Sequence, residues 1–403
     1  MKKRDLFIAV VVIVFGLLYQ FFESGNIKIL EGCKINNSIL LEKNYPNVFK
    51  LKSITLKNIN RFNISNIAGS INIKKNDIDE TFIEINSTVY SKNKKTAEKI
   101  RGKILSSIKK KGSLVTVSTT DNSRFSYSRV RIAIIIKTPQ AESIRIKNRY
   151  GNISIGIPSG ETSIDEKYGD INIEDTVKNL NIKSKYSKVK VKRIQKKGDF
   201  NSKYSYFDIS GSGSIKFKAA YSELFLNNLI TEDGIILICS TSKLSLNKIN
   251  ASELILKNSN GKIYLDGIKV NTSKIISENC RINIDNMDCN DSVIKNSYGR
   301  VRINELHGDS VNILIKNLDM NLLLGEQLET VNISAKYCDI DLLLKKKISP
   351  FFDINSTYGE IFNKTSLSFL TTKEIHKIRL SGGGRTPKII IFAKYSDIKL
   401  KNN

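Results

Sequence analysis

A chain of 403 residues with only two histidines, His307 and His376, and five cysteines has almost nothing from which to build a histidine-based catalytic or zinc site. Its net charge of +26, from 65 Lys and Arg against 39 Asp and Glu, raises a polyanionic partner such as an anionic bilayer or envelope polymer. The lysines are scattered along the chain among Asn and Ile rather than gathered in one block, so the expectation is a generally basic surface with no dedicated polyanion site and no specific nucleic-acid partner.

Met1-Lys2-Lys3-Arg4 precede an apolar run, Leu6 to Phe22, at the short end of what crosses a hydrocarbon core of ~30 Å. Positive charge before it predicts a cytoplasmic N-terminus and an exported remainder, on the periplasmic or extracellular side. Phe21-Phe22-Glu23-Ser24-Gly25 lacks the small-x-small pattern of a cleavage site, which favours an uncleaved signal anchor. Residues 1–25 are therefore read as a cytoplasmic stub and transmembrane anchor, and 26–66 as a spacer that becomes the first strands.

Residues 67–140 hold period-two strands at Gly69 to Ile73, Phe82 to Val89 and Leu114 to Val117, then the run Val130 to Ile136 before Pro139. Between them, Ala97, Ile100, Ile104, Leu105 and Ile108 recur at three- and four-residue intervals and predict an amphipathic helix over 94–110, stopped by Gly112. Its apolar stripe is expected to cover a sheet edge or a solenoid end.

From 141 to 403 the chain repeats. Tyr150-Gly151-Asn152-Ile153-Ser154-Ile155 returns as Tyr168-Gly169-Asp170-Ile171-Asn172-Ile173, and the anchor position recurs as Tyr186, Tyr204, Tyr221, Thr241, Asn260, Asn279, Tyr298, Asn317, Tyr337, Tyr358 and Tyr395, mostly at intervals of about 18–21 residues. Ile375, followed by Ile378 and Leu380, reads as one degenerate copy. Each copy has two short strands about the anchor, as in Ile144 and Ile146 before Tyr150 and Ile153 and Ile155 after it. Such strands cannot bury their Ile side chains alone, but stacked copies share a continuous core. The expected fold is an all-β, single-chain β-solenoid with one helix near its start.

At the corner, Gly151, Gly169, Gly261, Gly299 and Gly359 are expected to supply a positive φ, with Ser187, Ser205, Ser222, Ser242 and Ser396 in the same slot. Cys280 and Cys338 share that slot at a separation of ~14 Å, too far for a disulfide, and read as small packed residues. The tyrosines Tyr150, Tyr168, Tyr186, Tyr204, Tyr221, Tyr298, Tyr337, Tyr358 and Tyr395 are expected to stack in a column along one edge. That ladder either stabilises the corner or offers ring faces to sugars or bases. Gly382 to Gly384, followed by Thr386 and Pro387 rather than a Lys-Ser/Thr pair and a helix, reads as a flexible bend and not a phosphate loop.

The order of these features resembles the bacterial DUF4097 family of adhesin-like β-strand-repeat proteins over about residues 67–403. The resemblance is carried by the opening Gly69 to Ile73 and Ile83 to Ile85 strands, the charged helix, the Val130 to Pro139 run, the Tyr/Asn-Gly-Asp/Asn-Ile rungs, and Ser381 to Arg385 ahead of Ile389 to Leu400. It implies an envelope-associated β-solenoid and carries no catalytic residues.

The function expected is non-enzymatic, with no cofactor and no metal: a membrane-anchored protein of the bacterial envelope whose solenoid binds, adheres or scaffolds. Its candidate partners are the membrane, through residues 6–22, and an envelope glycan, anionic polymer or protein. The alternatives are a polysaccharide-processing β-helix enzyme, for which Asp266, Asp285, Asp288 and Asp291 form the densest acidic group, and a self-assembling structural protein. Lysines on the terminal strand Asp397 to Asn403, Lys399 and Lys401, would blunt edge pairing against the latter.

Overall fold

In a computed structural model, residues 45–121, 130–345 and 348–402 are described. They form an all-β solenoid of about 11 turns with one helix. The apolar segment 6–22 and residues 26–44 of the expected spacer lie outside the described residues. Among the described residues no helix is long and apolar enough to cross a membrane.

Successive turns pair in parallel and in register. Thr162 lies against Ile144, Ile164 against Ile146 and Tyr168 against Tyr150, while Ile171 and Ile173 lie against Ile153 and Ile155. Period-two alternation therefore places every second residue inward, and turns bury Ile144, Ile153, Ile155, Leu180, Ile182, Val189 and their equivalents to within a few per cent. Three rings, Phe200, Phe207 and Phe217, replace aliphatics at one level and pack edge-to-face or tilted, with centroids 4.9–6.0 Å apart.

The first turns are closed by antiparallel strands. Tyr45–Leu56 pairs with Thr81–Ser91, which pairs with Val130–Thr138, all antiparallel. The helix α1 (Lys94–Arg101) packs on the first two, burying Ala97 and Ile100, and Arg101 lies 5.4 Å over the Phe49 ring. Asn93 caps it, its Oδ1 accepting from the Thr96 amide at 2.8 Å.

The helix is shorter than the expected 94–110. Gly102 caps it, and Ile104–Lys111 is a strand that turns at Gly112, φ +60°, into Leu114–Asp121. Ile104 and Ile108 are four apart, a spacing that fits a helix face and a strand face equally. The cross-strand contact of Ser107 Oγ with Ser118 Oγ, 2.7 Å, belongs to the hairpin.

The C-terminal end departs from sequence order. Ser349–Thr357 and Ile361–Lys364 form the outer turn, and the chain then returns so that Lys388–Lys394 and Asp397–Asn402 slot between that turn and Leu328–Leu344. Asp397–Asn402 is thus an interior strand, and its lysines guard no edge. Ile375 is not a rung: it is 90 % exposed at the tip of a hairpin, Phe369–Glu374 with Lys377–Thr386, laid antiparallel on Ser349–Thr357. Gly382 to Gly384 belong to that hairpin's second strand rather than to a flexible bend. A Cβ on Gly384 would stand 1.8 Å from the Ser349 carbonyl oxygen, so this strand approaches its neighbour too closely for a side chain.

Candidate functional site

The corner that carries the anchors is where the repeat exposes its largest side chains. Where Ser or Cys follows, the anchor itself takes the left-handed conformation: φ is 57° at Tyr186, 54° at Tyr204, 52° at Tyr221, 51° at Asn279 and 57° at Tyr337. Gly151 and Gly261 take positive φ themselves, at 136° and 131°. The expectation that the glycine slot supplies this conformation therefore needs correcting: the anchor provides it in most corners, both residues take it at Tyr298 and Gly299, and neither does at Tyr168 and Gly169.

Beneath the rings runs a column of hydroxyls. The Ser187 amide donates to Ser205 Oγ at 3.2 Å, Ser205 to Ser222 Oγ at 3.2 Å, and Ser222 to Ser242 Oγ at 3.3 Å. The hydroxyls of Ser205, Ser222 and Ser242 donate in turn to the carbonyls of Lys203, Ala220 and Ser240. Serine in this slot satisfies an amide that the turn leaves without a ladder partner.

The tyrosines stack in two runs. Tyr150, Tyr168, Tyr186, Tyr204 and Tyr221 follow one another with centroids 5.0–5.3 Å apart and planes within 15°. Tyr337, Tyr395, Tyr358 and His376 form the second, at 4.7–4.9 Å. Between the runs Tyr298 stands between Asn279 and Asn317 on neighbouring turns. Stacking turns ring faces toward one another, so within a run the column presents ring edges and phenol hydroxyls to solvent, with Tyr168 through Tyr221 40–51 % exposed. Flat faces for a sugar or base are free only where the column breaks.

A second feature went unnoticed in the sequence although its signal is a fixed offset. The residue before the anchor is Arg149, Lys167, Lys185 and Lys203 on four successive turns, all exposed. Arg149 lies 5.5 Å over the Tyr150 ring, Lys185 5.1 Å over Tyr186, and Lys203 5.2 Å over Tyr204. A row of cations thus borders the first tyrosine run.

Two residues before Tyr168 lies Glu166, 1 % exposed, in a column otherwise neutral at its neighbours Asn148 and Ser184. The Tyr168 amide donates to its Oε1 at 3.1 Å, whereas Oε2 has no hydrogen-bond partner. Burial pushes the carboxyl up to about 7.

Of the acidic group considered for enzymatic chemistry, Asp285 and Asp288 are engaged by local partners. Asp285 accepts from the Tyr264 hydroxyl and the Asn304 amide, each at 2.6 Å, and Asp288 lies 3.9 Å from Lys269 Nζ. Cys239, Cys280, Cys289 and Cys338 are buried free thiols, while Cys33 lies outside the described residues. His376 ends the second ring stack, and His307 Nε2 lies 3.5 Å from Glu305.

Comparison with curated proteins gives no match. Among solved structures, the chain is similar to a candidate cell-adhesion protein of Clostridium sporogenes, at 11% identity and TM-score 0.18, over 90% of this chain and 100% of that one. It is similar to a candidate adhesin of Parabacteroides distasonis, at 10% identity and TM-score 0.25, over 89% and 98%. A third structure, a candidate lipid-binding protein also of Parabacteroides distasonis, aligns at 10% identity and TM-score 0.19, over 88% and 96%. Residues 208–401, just under half of the chain, match the Toastrack DUF4097 family model.

Proposed function

We propose that this chain is a non-enzymatic binding protein of the bacterial envelope, tethered through residues 6–22 with its solenoid exported, and that the first tyrosine run is its binding surface. The ligand class is an extended anionic polymer, an envelope glycan bearing carboxylates or phosphates, laid along the solenoid. The observation that carries this reading is the pairing of two columns in one strip: phenol hydroxyls every ~5 Å and, beside them, Arg149, Lys167, Lys185 and Lys203. Hydroxyls donate to and accept from the polymer while the cations neutralise its charges, and repetition turns weak single contacts into avidity.

The test uses polygalacturonate against neutral dextran. The chain has no tryptophan, so tyrosine emission reports binding directly. Polygalacturonate should quench it in low salt and release it as salt rises, dextran should do neither, and Lys185→Ala with Lys203→Ala should weaken the response at least tenfold. Tyr204→Phe keeps the stack and removes one hydroxyl, and should weaken binding without lowering thermal stability. Equal responses to both polymers, or none to either, would sink the proposal.

A further inference from the structure

The residue two positions after the anchor points outward on every turn and forms a third column. Read in spatial order along the C-terminal half, it runs Lys243, Lys262, Arg281, Arg300 and then Asp319, Asp339, Asp397, Glu360. Four cations on successive turns are followed by four carboxylates. The spatial order matters: in sequence Glu360 precedes Asp397, and only the inserted C-terminal strand places Asp397 between Asp339 and Glu360. Like charges side by side on adjacent strands are destabilising; at the centre Arg300 and Asp319 relieve each other, at 3.4 Å, and at the outer end Lys243 pairs with Glu223 of the preceding turn, at 3.6 Å.

The column is self-complementary. A second copy, turned by a two-fold axis perpendicular to the solenoid and passing between Arg300 and Asp319, would set Arg300 on the partner's Asp319 and Arg281 on the partner's Asp339. The same rotation brings Lys262 to the partner's Asp397 and Lys243 to the partner's Glu360.

The anchor column obeys the same rotation independently. Tyr298 falls opposite the partner's Asn317, Asn279 opposite the partner's Tyr337, Asn260 opposite the partner's Tyr395, and Thr241 opposite the partner's Tyr358. Each projecting ring meets a short polar side chain, which gives the lapse of the tyrosine column through Thr241, Asn260 and Asn279 a physical use. In the column before the anchor, Glu278 meets the partner's Lys336. The rings of Tyr337, Tyr395 and Tyr358 and the carboxylates of Asp319, Asp339 and Asp397 line one groove, so the two columns act as one surface.

We infer that this face is a homodimer interface in which two solenoids lie side by side and antiparallel, closed by an isologous contact over the turns from Thr241 to Glu360. A different protein could match the charges, but would not require the two halves of the strip to mirror each other. Seven steps of ~4.8 Å make the strip ~34 Å long. At three or four residues wide it falls at the small, polar end of specific interfaces, so the dimer is salt-sensitive and of modest affinity. The first tyrosine run, Tyr150 to Tyr221, lies outside the strip and stays open in the dimer.

Sedimentation of the full chain, in mild detergent because of the apolar 6–22 segment, provides the test. At low salt the mass should approach twice 45.4 kDa and fall toward the monomer as salt rises. Arg281→Asp and Asp339→Arg should each weaken association at least tenfold, while the combined variant restores it by exchanging the two charges. Either single change places an opposite charge between like neighbours in its own column, so it should leave the melting temperature unchanged or raised, which separates dissociation from misfolding. A wild-type monomer at every concentration, singles that associate like wild type, or a native-melting double variant that stays monomeric would each overturn the inference.

Discussion

Tyr395 stacks on Tyr337 at 4.9 Å, although Tyr358 lies between them in sequence and is itself stacked on the other face of Tyr395 at 4.9 Å. The last strands of the chain are therefore interior, with Ile389, Ile391, Ile398 and Leu400 at 0 % exposure between neighbours on both sides. Terminal residues usually fray; these complete the core. Leu400→Ala should cost about 3 kcal/mol in thermal or denaturant unfolding, as for a buried aliphatic. Ile375→Ala, at the exposed hairpin tip, should change stability by less than about 0.5 kcal/mol. Equal effects at the two positions would contradict the inserted arrangement.

Glu166 gives the solenoid a pH dependence of unusual sign. Its carboxyl is pushed up to about 7 from an ordinary value of 4.5 because it is buried. The native state therefore holds this proton where the unfolded chain has released it. Stability from the neutral form is fully present below about 4.5 and is lost as pH rises toward 7. The shift corresponds to a loss on the order of 3 kcal/mol across that window. Glu166→Gln should match wild type near pH 4 and exceed it at pH 8, with the difference between the two melting curves growing between. A constant difference would place the ionised carboxylate comfortably in the fold.

How much of this was legible follows from what local pattern can encode. The inward slots, such as Ile153 and Ile155 or Ile340 and Leu342, announce themselves by alternation, and the anchor positions by their spacing. The order of the last turns could not be read, because Tyr395-Ser396-Asp397-Ile398 has the same local form as any rung, and pairing partners are chosen by the whole sheet. The helix was overextended because Ile104 and Ile108 satisfy both periods, and only pairing with Leu114–Asp121 decides between them. The tyrosine column was foreseen, but ring orientation was not, and that decides whether faces or edges meet a ligand. The charged columns were written in the sequence at fixed offsets from the anchor. Strand order was needed only to place Asp397 between Asp339 and Glu360.

The four described cysteines should be chemically quiet. Burial pushes the Cys239 thiol up to about 12 and Cys280 to about 11, and raises Cys289 and Cys338 as well. Iodoacetamide at pH 8 should leave all four unmodified in the native protein and label them in denaturant, read by peptide mass spectrometry. Native labelling of Cys280 or Cys338 would mean that the corner opens on the timescale of the reaction.

Two glycines only thirteen positions apart separate close packing from mere composition. A Cβ on Gly169 would stand 2.0 Å from the Gly151 carbonyl oxygen of the neighbouring turn, whereas one on Gly156 would meet nothing nearer than 3.8 Å. Neither has a positive φ, so the contrast is steric and not conformational. Serine fills the slot of Gly169 at Ser187, Ser205 and Ser222, but there the preceding tyrosine has moved into the left-handed region. Tyr168 has not. Gly169→Ala must therefore push two turns apart or force Tyr168 into that conformation, at a cost of about 2–3 kcal/mol, in the range of an overpacked core. Gly156→Ala should be neutral or mildly stabilising, because the added methyl fits and the unfolded chain loses freedom. Thermal unfolding of the two variants decides the matter: if Gly169→Ala melts with wild type, the two kinds of corner interconvert freely and the slot tolerates either residue.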